Sequence, residues 1–361
     1  MNPIFQRLMR EATRLTRKGD LRGAAAAIRA ALSRDGAAQP AMPPSAPAAN
    51  DPRVIPAPLP ASAPESPAAP AQAPRPRAGE FIAGHYAAEA GARDYKLFIP
   101  PAAGERPLPL LVMLHGCTQD PEDFAAGTAM NEAALVHGFY VLYPAQSAHA
   151  NPHRCWNWFK HNHQGRGRGE PELLAGMTRE VMAHYAIDPT RVYVAGLSAG
   201  GAMAAILGDA YPDLFAAVGV HSGLATGTAK DVASALGAMK GNGAKPAGAA
   251  SGVPTIVFHG DADGTVHPGN GDHVITASAG ALEAQVEQGR SAGGRAYTRR
   301  VVRRADGTVL AEHWVVHGAQ HAWSGGKAKG SYTDPRGPDA TGEMVRFFME
   351  HPHPSAGTSA P

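Results

Sequence analysis

The sequence predicts an α/β fold, a mostly parallel central sheet with helices on both faces. Three observations carry that prediction. Strand-like and helix-like patterns alternate through most of residues 79–352. Strand candidates such as Pro109–Gly116 and Pro254–Gly260 are almost uninterruptedly apolar, as strands covered on both faces are. A β-branched and aromatic run, Arg191–Ala195, passes through Gly196-Leu-Ser198-Ala-Gly200 directly into the helix-forming Ala202–Leu207.

In chain order, residues 3–34 read as two short helices. Phe5, Leu8, Ala12 and Leu15 form one apolar seam, Gly19-Asp20 breaks it, and Leu21, Ala24, Ile28 and Leu32 form the next. This hairpin, assigned to 1–36, carries Arg7, Arg10, Arg14, Arg17, Lys18 and Arg22. It is either a small appendage or an adaptor that docks on a surface. Residues 37–78 turn to Pro and Ala and are expected to be a disordered linker.

The main domain is placed at 79–352, followed by a disordered tail at 353–361. Within it, Arg93–Ile99 and Phe139–Tyr143 read as strands, Asp123–His137 as one helix and Glu172–Tyr185 as another. Tyr297–Arg303 and Ala311–Val316 form a hairpin around Asp306-Gly307, and Glu343–Met349 supplies a closing helix. Residues 225–252, rich in Gly, Ala and Lys, are expected to be an exposed excursion.

Composition narrows the function classes. A hydrophobic content of 44% suffices for a buried core, and a net charge of +2 without a basic, aromatic-interleaved stripe argues against nucleic-acid binding. No apolar stretch approaches the ~18 residues of a membrane span. Arg7, Arg10 and Glu11 interrupt any apolar segment near the first residue, so a cytoplasmic location is expected, with secretion as the alternative. The two cysteines, Cys117 and Cys155, are either buried thiols or one bridge.

Serine needs a histidine to take its proton and a carboxylate to hold that histidine. In an open α/β sheet these groups belong just beyond the carboxyl ends of strands. Two loops downstream of Ser198 qualify: His259-Gly-Asp261-Ala-Asp263 and His317-Gly-Ala-Gln-His321. Asp263 is preferred because Asp261, beside Gly260, suits a turn cap. His321 is preferred because His317 directly ends a strand. Two donors are required for a developing oxyanion; the backbone amides of Ala199 and Cys117 are assigned to it. His161 and His163 lack accompanying ligands and read as surface histidines, so no metal and no cofactor is expected.

Eight separated motifs then occur in one order: Leu114–Gln119, Gly138–Pro144, Cys155–Phe159, Gly196–Met203, Tyr211–Ala217, His221–Gly223, His259–Asp263 and His321–Gly326. Together they resemble the esterase family of polyhydroxybutyrate depolymerases. The resemblance implies an α/β-hydrolase with Ser198, Asp263 and His321 as its triad and Cys117 in its oxyanion loop. It also implies Trp156 and Trp323 on a polymer-binding face. The expected reaction is hydrolysis of short-chain polyhydroxyalkanoates or other ester substrates. A feruloyl or acetyl-xylan esterase is the nearest alternative. A non-catalytic scaffold that binds granules or a partner is the alternative of another class.

Overall fold

In a computed structural model the described residues are 79–354 except 246–248; the hairpin expected at 1–36, the linker at 37–78 and most of the tail lie outside them. Ten strands form one sheet: β1 (Glu80–Ala88), β2 (Gly91–Ile99), β3 (Leu108–Leu114), β4 (Tyr140–Pro144), β5 (Ile187–Leu197), β6 (Ala217–His221), β7 (Thr255–Gly260), β8 (Ala284–Arg290), β9 (Ala296–Arg303) and β10 (Val309–Val316). Their order is β1-β2-β4-β3-β5-β6-β7-β10-β9-β8. The central block from β4 to β10 pairs in parallel, and the two edges pair antiparallel.

Period-two alternation along the central strands divides the core. Leu110, Val112 and Leu114 of β3 and Val192 and Val194 of β5 point to one face. There they meet Leu173, Leu174 and Met177 of α3 (Gly169–His184), and Met203 and Leu207 of α4 (Ala199–Ala210). Leu111, Met113, Tyr193 and Ala195 point to the other face. That face is covered by Phe124 of α1 (Pro121–Thr128), Met130 of α2 (Met130–His137), and Met344, Phe347 and Phe348 of α7 (Ala340–Met349). Because both faces are covered, β3 and β4 are buried along their whole length, and β6 and β7 carry polar side chains only at His221, Thr255 and His259.

The structure differs from the sequence reading in four places. The helix expected over Asp123–His137 is two helices, because Ala129 adopts a left-handed conformation (φ 54°) between them. α3 starts at Gly169, before the expected Glu172. Edge strands β1 and β8 were not anticipated; β8 is exposed over most of its length and so lacks an apolar face to read. The excursion at 225–252 holds a helix, α5 (Val232–Gly237), capped by Asp231 and Ser234, and it buries Ala235 and Ala238.

Candidate active site

Ser198 sits where β5 turns into α4, at φ 57° and ψ −118°, a backbone region that non-glycine residues avoid. The flanking glycines make this turn sterically possible. A Cβ at Gly200 would stand 2.0 Å from the Leu114 carbonyl oxygen, and one at Gly196 would stand 2.4 Å from the backbone of Gly200. The Ser198 amide donates to the His221 carbonyl (2.9 Å), tying the turn to the end of β6.

The loops after β7 and β10 bring the acid and the histidine together. His321 Nδ1 lies 2.7 Å from Asp263 Oδ2. The other oxygen of Asp263 accepts from the backbone amides of Thr265 (2.8 Å) and Val266 (2.9 Å). Burial works against the Asp263 carboxylate, but hydrogen bonds from His259 and His321, with the Val266 amide, outweigh it and hold its pKa far below the usual range. Asp263 is therefore an anion at any ordinary pH.

His317 forms a second pair of the same kind, Nδ1 to Asp261 Oδ2 at 2.8 Å, but this one is exposed. Asp261 also accepts from the Gly318 amide of the other loop, so its side chain ties the two loops together instead of capping its own turn. The two pairs share two loops and diverge in direction.

Ser198 and His321 line one pocket of about 290 Å³, with Cys117, Leu197, Met239 and Tyr332 among its walls. Two larger surface depressions, of about 680 and 710 Å³, include neither Ser198 nor His321. Cys117 stands on the rim loop after β3. The Ala199 amide opens α4, where the first amides of a helix lack intrahelical partners.

The rim loop is held from several sides. Cys117 is disulfide-bonded to Cys155, which settles the state that the sequence left open. The Gly116 amide donates to Gln119 Oε1 (2.9 Å), Gln119 Nε2 donates to Asp123 (2.9 Å), and the Thr118 amide donates to the His153 carbonyl (2.7 Å). Behind the disulfide, buried Glu170 accepts from the Asn157 amide (2.6 Å), Asn157 Nδ2 (2.7 Å) and Gln146 Nε2 (2.5 Å). Burial would raise its pKa, yet hydrogen bonds involving His163, Gln146 and Asn157 hold it below the usual value.

Trp156 and Trp323 do not lie on an exposed face. Trp156 is 0% exposed and its indole donates to the His115 carbonyl (3.1 Å). Trp323 is 1% exposed, donates to Thr341 Oγ1 (3.0 Å) and stacks on His221. Each indole buries its area and satisfies its one donor inside the protein, so both brace the site from behind. The sequence reading missed Met239, which arrives from the supposed excursion, and Tyr332, a half-exposed wall residue bonded to Thr118 (3.1 Å). Neither position carries a spacing signal.

Residues 93–297 match the family described as Esterase PHB depolymerase. The chain belongs to this family. A curated relative of the PHB depolymerase esterases, poly(3-hydroxyalkanoate) depolymerase C of Paucimonas lemoignei, is 33% identical over 228 residues, 59% of this chain and 54% of that protein. Poly(3-hydroxybutyrate) depolymerase of Ralstonia pickettii is 29% identical over 259 residues, 69% and 48%. Feruloyl esterase B of Thermothelomyces thermophilus is 31% identical over 140 residues, 38% and 47%. The chain spans about half the length of these curated relatives. Among solved structures, acetyl xylan esterase from Aspergillus awamori matches with a TM-score of 0.59 at 18% identity, over 74% of this chain and 99% of that one. The shared architecture is the α/β-hydrolase fold.

Proposed function

We propose that the chain is a serine ester hydrolase with Ser198 as nucleophile, His321 as base and Asp263 as the acid that orients it. The observation that supports this most is the buried Asp263–His321 hydrogen bond at 2.7 Å, with His321 and the strained Ser198 on one pocket. Ser198 Oγ attacks the ester carbonyl carbon while His321 takes its proton. The amides of Cys117 and Ala199 receive the negative oxygen. The imidazolium then protonates the departing alcohol, leaving an acyl ester on Ser198. Water, deprotonated by His321, attacks that ester, and the acid is released as Ser198 regains its proton. A non-catalytic scaffold would leave the strained serine backbone without a use.

We further propose short-chain polyhydroxyalkanoates, or their oligomers, as substrates. Support comes from the family match and from the names of two curated relatives. A carbohydrate esterase acting on feruloyl or acetyl groups is the second reading, supported by relatives of that description. Turnover of 3-hydroxybutyrate oligomers, p-nitrophenyl acyl esters, methyl ferulate and acetylated xylan, compared as kcat/KM, tests the choice. The polyester reading requires the oligomers to lead; higher kcat/KM on ferulate or xylan would reverse it.

For the compartment, the Cys117–Cys155 bridge favours secretion over the cytoplasm, since disulfides persist where the surroundings are oxidising. Docking through residues 1–36 on a granule or partner stays a proposal. Retention of the full-length chain on granules, compared with a chain starting at Gly79, tests it.

A further inference from the structure

Behind the acid loop, two buried histidines present unused ring nitrogens to one place. His259, at the end of β7, is 1% exposed. Its Nε2 lies 2.9 Å from the Val266 carbonyl oxygen and 3.4 Å from Asp263 Oδ2. His313, on β10, is 3% exposed, and its Nδ1 lies 3.3 Å from Asp272 Oδ1. Those neighbours are acceptors, so they fix the tautomers: the protons sit on His259 Nε2 and His313 Nδ1. His259 Nδ1 and His313 Nε2 are then bare lone pairs, and neither has a hydrogen-bond partner among the described residues.

Both nitrogens lie close to Gly271, in the first turn of α6 (Gly269–Ala279). A Cβ at Gly271 would stand 2.7 Å from His313 Nε2 and 3.3 Å from His259 Nδ1. Any side chain at 271 would collide with the His313 ring and crowd His259, so glycine lets both rings approach the helix. Burial holds the His313 imidazole below its ordinary pKa, against the pull of Asp272, so a proton from solvent does not fill the gap. Two acceptors that share a buried space require a donor.

We propose that one internal water sits over Gly271, donating one O–H to His259 Nδ1 and the other to His313 Nε2. Water matches the count, two donors for two lone pairs. A metal would need further imidazole, thiolate or carboxylate ligands, and no such group of three or more occurs among the described residues. The line Asp272–His313–water–His259 then runs from the surface to the loop that carries Asp263. His259 and His313 are positioning residues: they set the carboxylate oxygen that His321 uses. This inference rests on Asp263 being the acid of the proposed triad.

A high-resolution crystal structure with a metal-edge anomalous map tests the site directly. The expected result is a single water peak within hydrogen-bond distance of both nitrogens. An empty space, an anomalous scatterer, or a direct bond between the rings would overturn it. Kinetics test the role. His313→Leu removes one acceptor and Gly271→Ala puts a methyl group against both rings, and each should lower kcat on a soluble ester about tenfold at unchanged KM. His313→Gln, which keeps an acceptor oxygen for the water, should recover most of that loss. Rates are expressed per site labelled by a fluorophosphonate probe, so loss of folded protein does not enter. Unchanged kcat per labelled site in both the Leu and Ala variants would overturn the brace and leave the triad standing. Labelling that persists in Ser198→Ala would instead remove the reading on which the brace rests.

Discussion

His321 Nδ1 meets Asp263 Oδ2 at 2.7 Å in the interior, while His317 Nδ1 meets Asp261 Oδ2 at 2.8 Å on the surface of the same two loops. Bond length does not separate the pairs; burial and direction do. Asp263→Asn should lower kcat by about 10⁴-fold with little change in KM, because an amide cannot hold the required imidazole tautomer. Asp261→Asn should stay within about twofold of wild type. Rates on p-nitrophenyl butyrate check both, and equal losses in the two variants would contradict the assignment.

Reduction of Cys117–Cys155 should cost stability and rate together. The bridge closes a 38-residue separation, which corresponds to roughly 3–4 kcal/mol of unfolded-state entropy. It also ties the rim loop bearing the Cys117 amide to the segment held by Glu170. The Cys117→Ala, Cys155→Ala double variant should unfold at lower urea and show reduced kcat at concentrations where it is still folded. Unaltered kcat in the folded double variant would mean the loop holds its shape without the bridge.

The two tryptophans should behave as core residues. Trp156→Ala and Trp323→Ala should each cost about 3–5 kcal/mol, the range for emptying a large aromatic site. Trp156→Phe, which keeps most of the ring volume, should leave adsorption to a poly(3-hydroxybutyrate) film unchanged per folded molecule. Calorimetry and a film-depletion assay check the pair. A loss of adsorption in Trp156→Phe would return the residue to a substrate role.

Acid should unfold the protein through its buried histidines. Burial, aided by the neighbouring His259 and His321, pushes the His221 pKa down to about 3. Between that value and the ordinary 6.5 the folded chain keeps His221 neutral while the unfolded chain protonates it. The unfolded state therefore binds more protons there, and stability falls as pH drops from 6.5 towards 3. The slope from this group is about 1.4 kcal/mol per pH unit. Burial also lowers the pKa of His115 and His313, which adds in the same direction. Urea midpoints at pH 7 and pH 5 check this; a flat profile would contradict it.

Much of the fold was legible because its strands are covered on both faces, which leaves continuous apolar runs such as Leu108–Leu114 and Thr255–Gly260. The turn at Ser198 was legible because a Cβ at 196 or 200 has nowhere to go. Exposed β8 gives no such signal, and neither does the left-handed break at Ala129, which depends on the local path of the chain. The tryptophans were misplaced because aromatic content cannot show which way a ring points. Their donors are met by the His115 carbonyl and the Thr341 hydroxyl, partners distant in sequence or local only in space. Met239 reaches the pocket from a Gly- and Ala-rich stretch that reads as surface, although Ala235 and Ala238 of that stretch are buried.

The most direct measurement is mass-spectrometric mapping of a fluorophosphonate adduct on the intact protein. The account predicts one adduct, on Ser198, absent from Ser198→Ala and strongly slowed in His321→Ala. An adduct on any other residue, or labelling of His321→Ala at the wild-type rate, would contradict it.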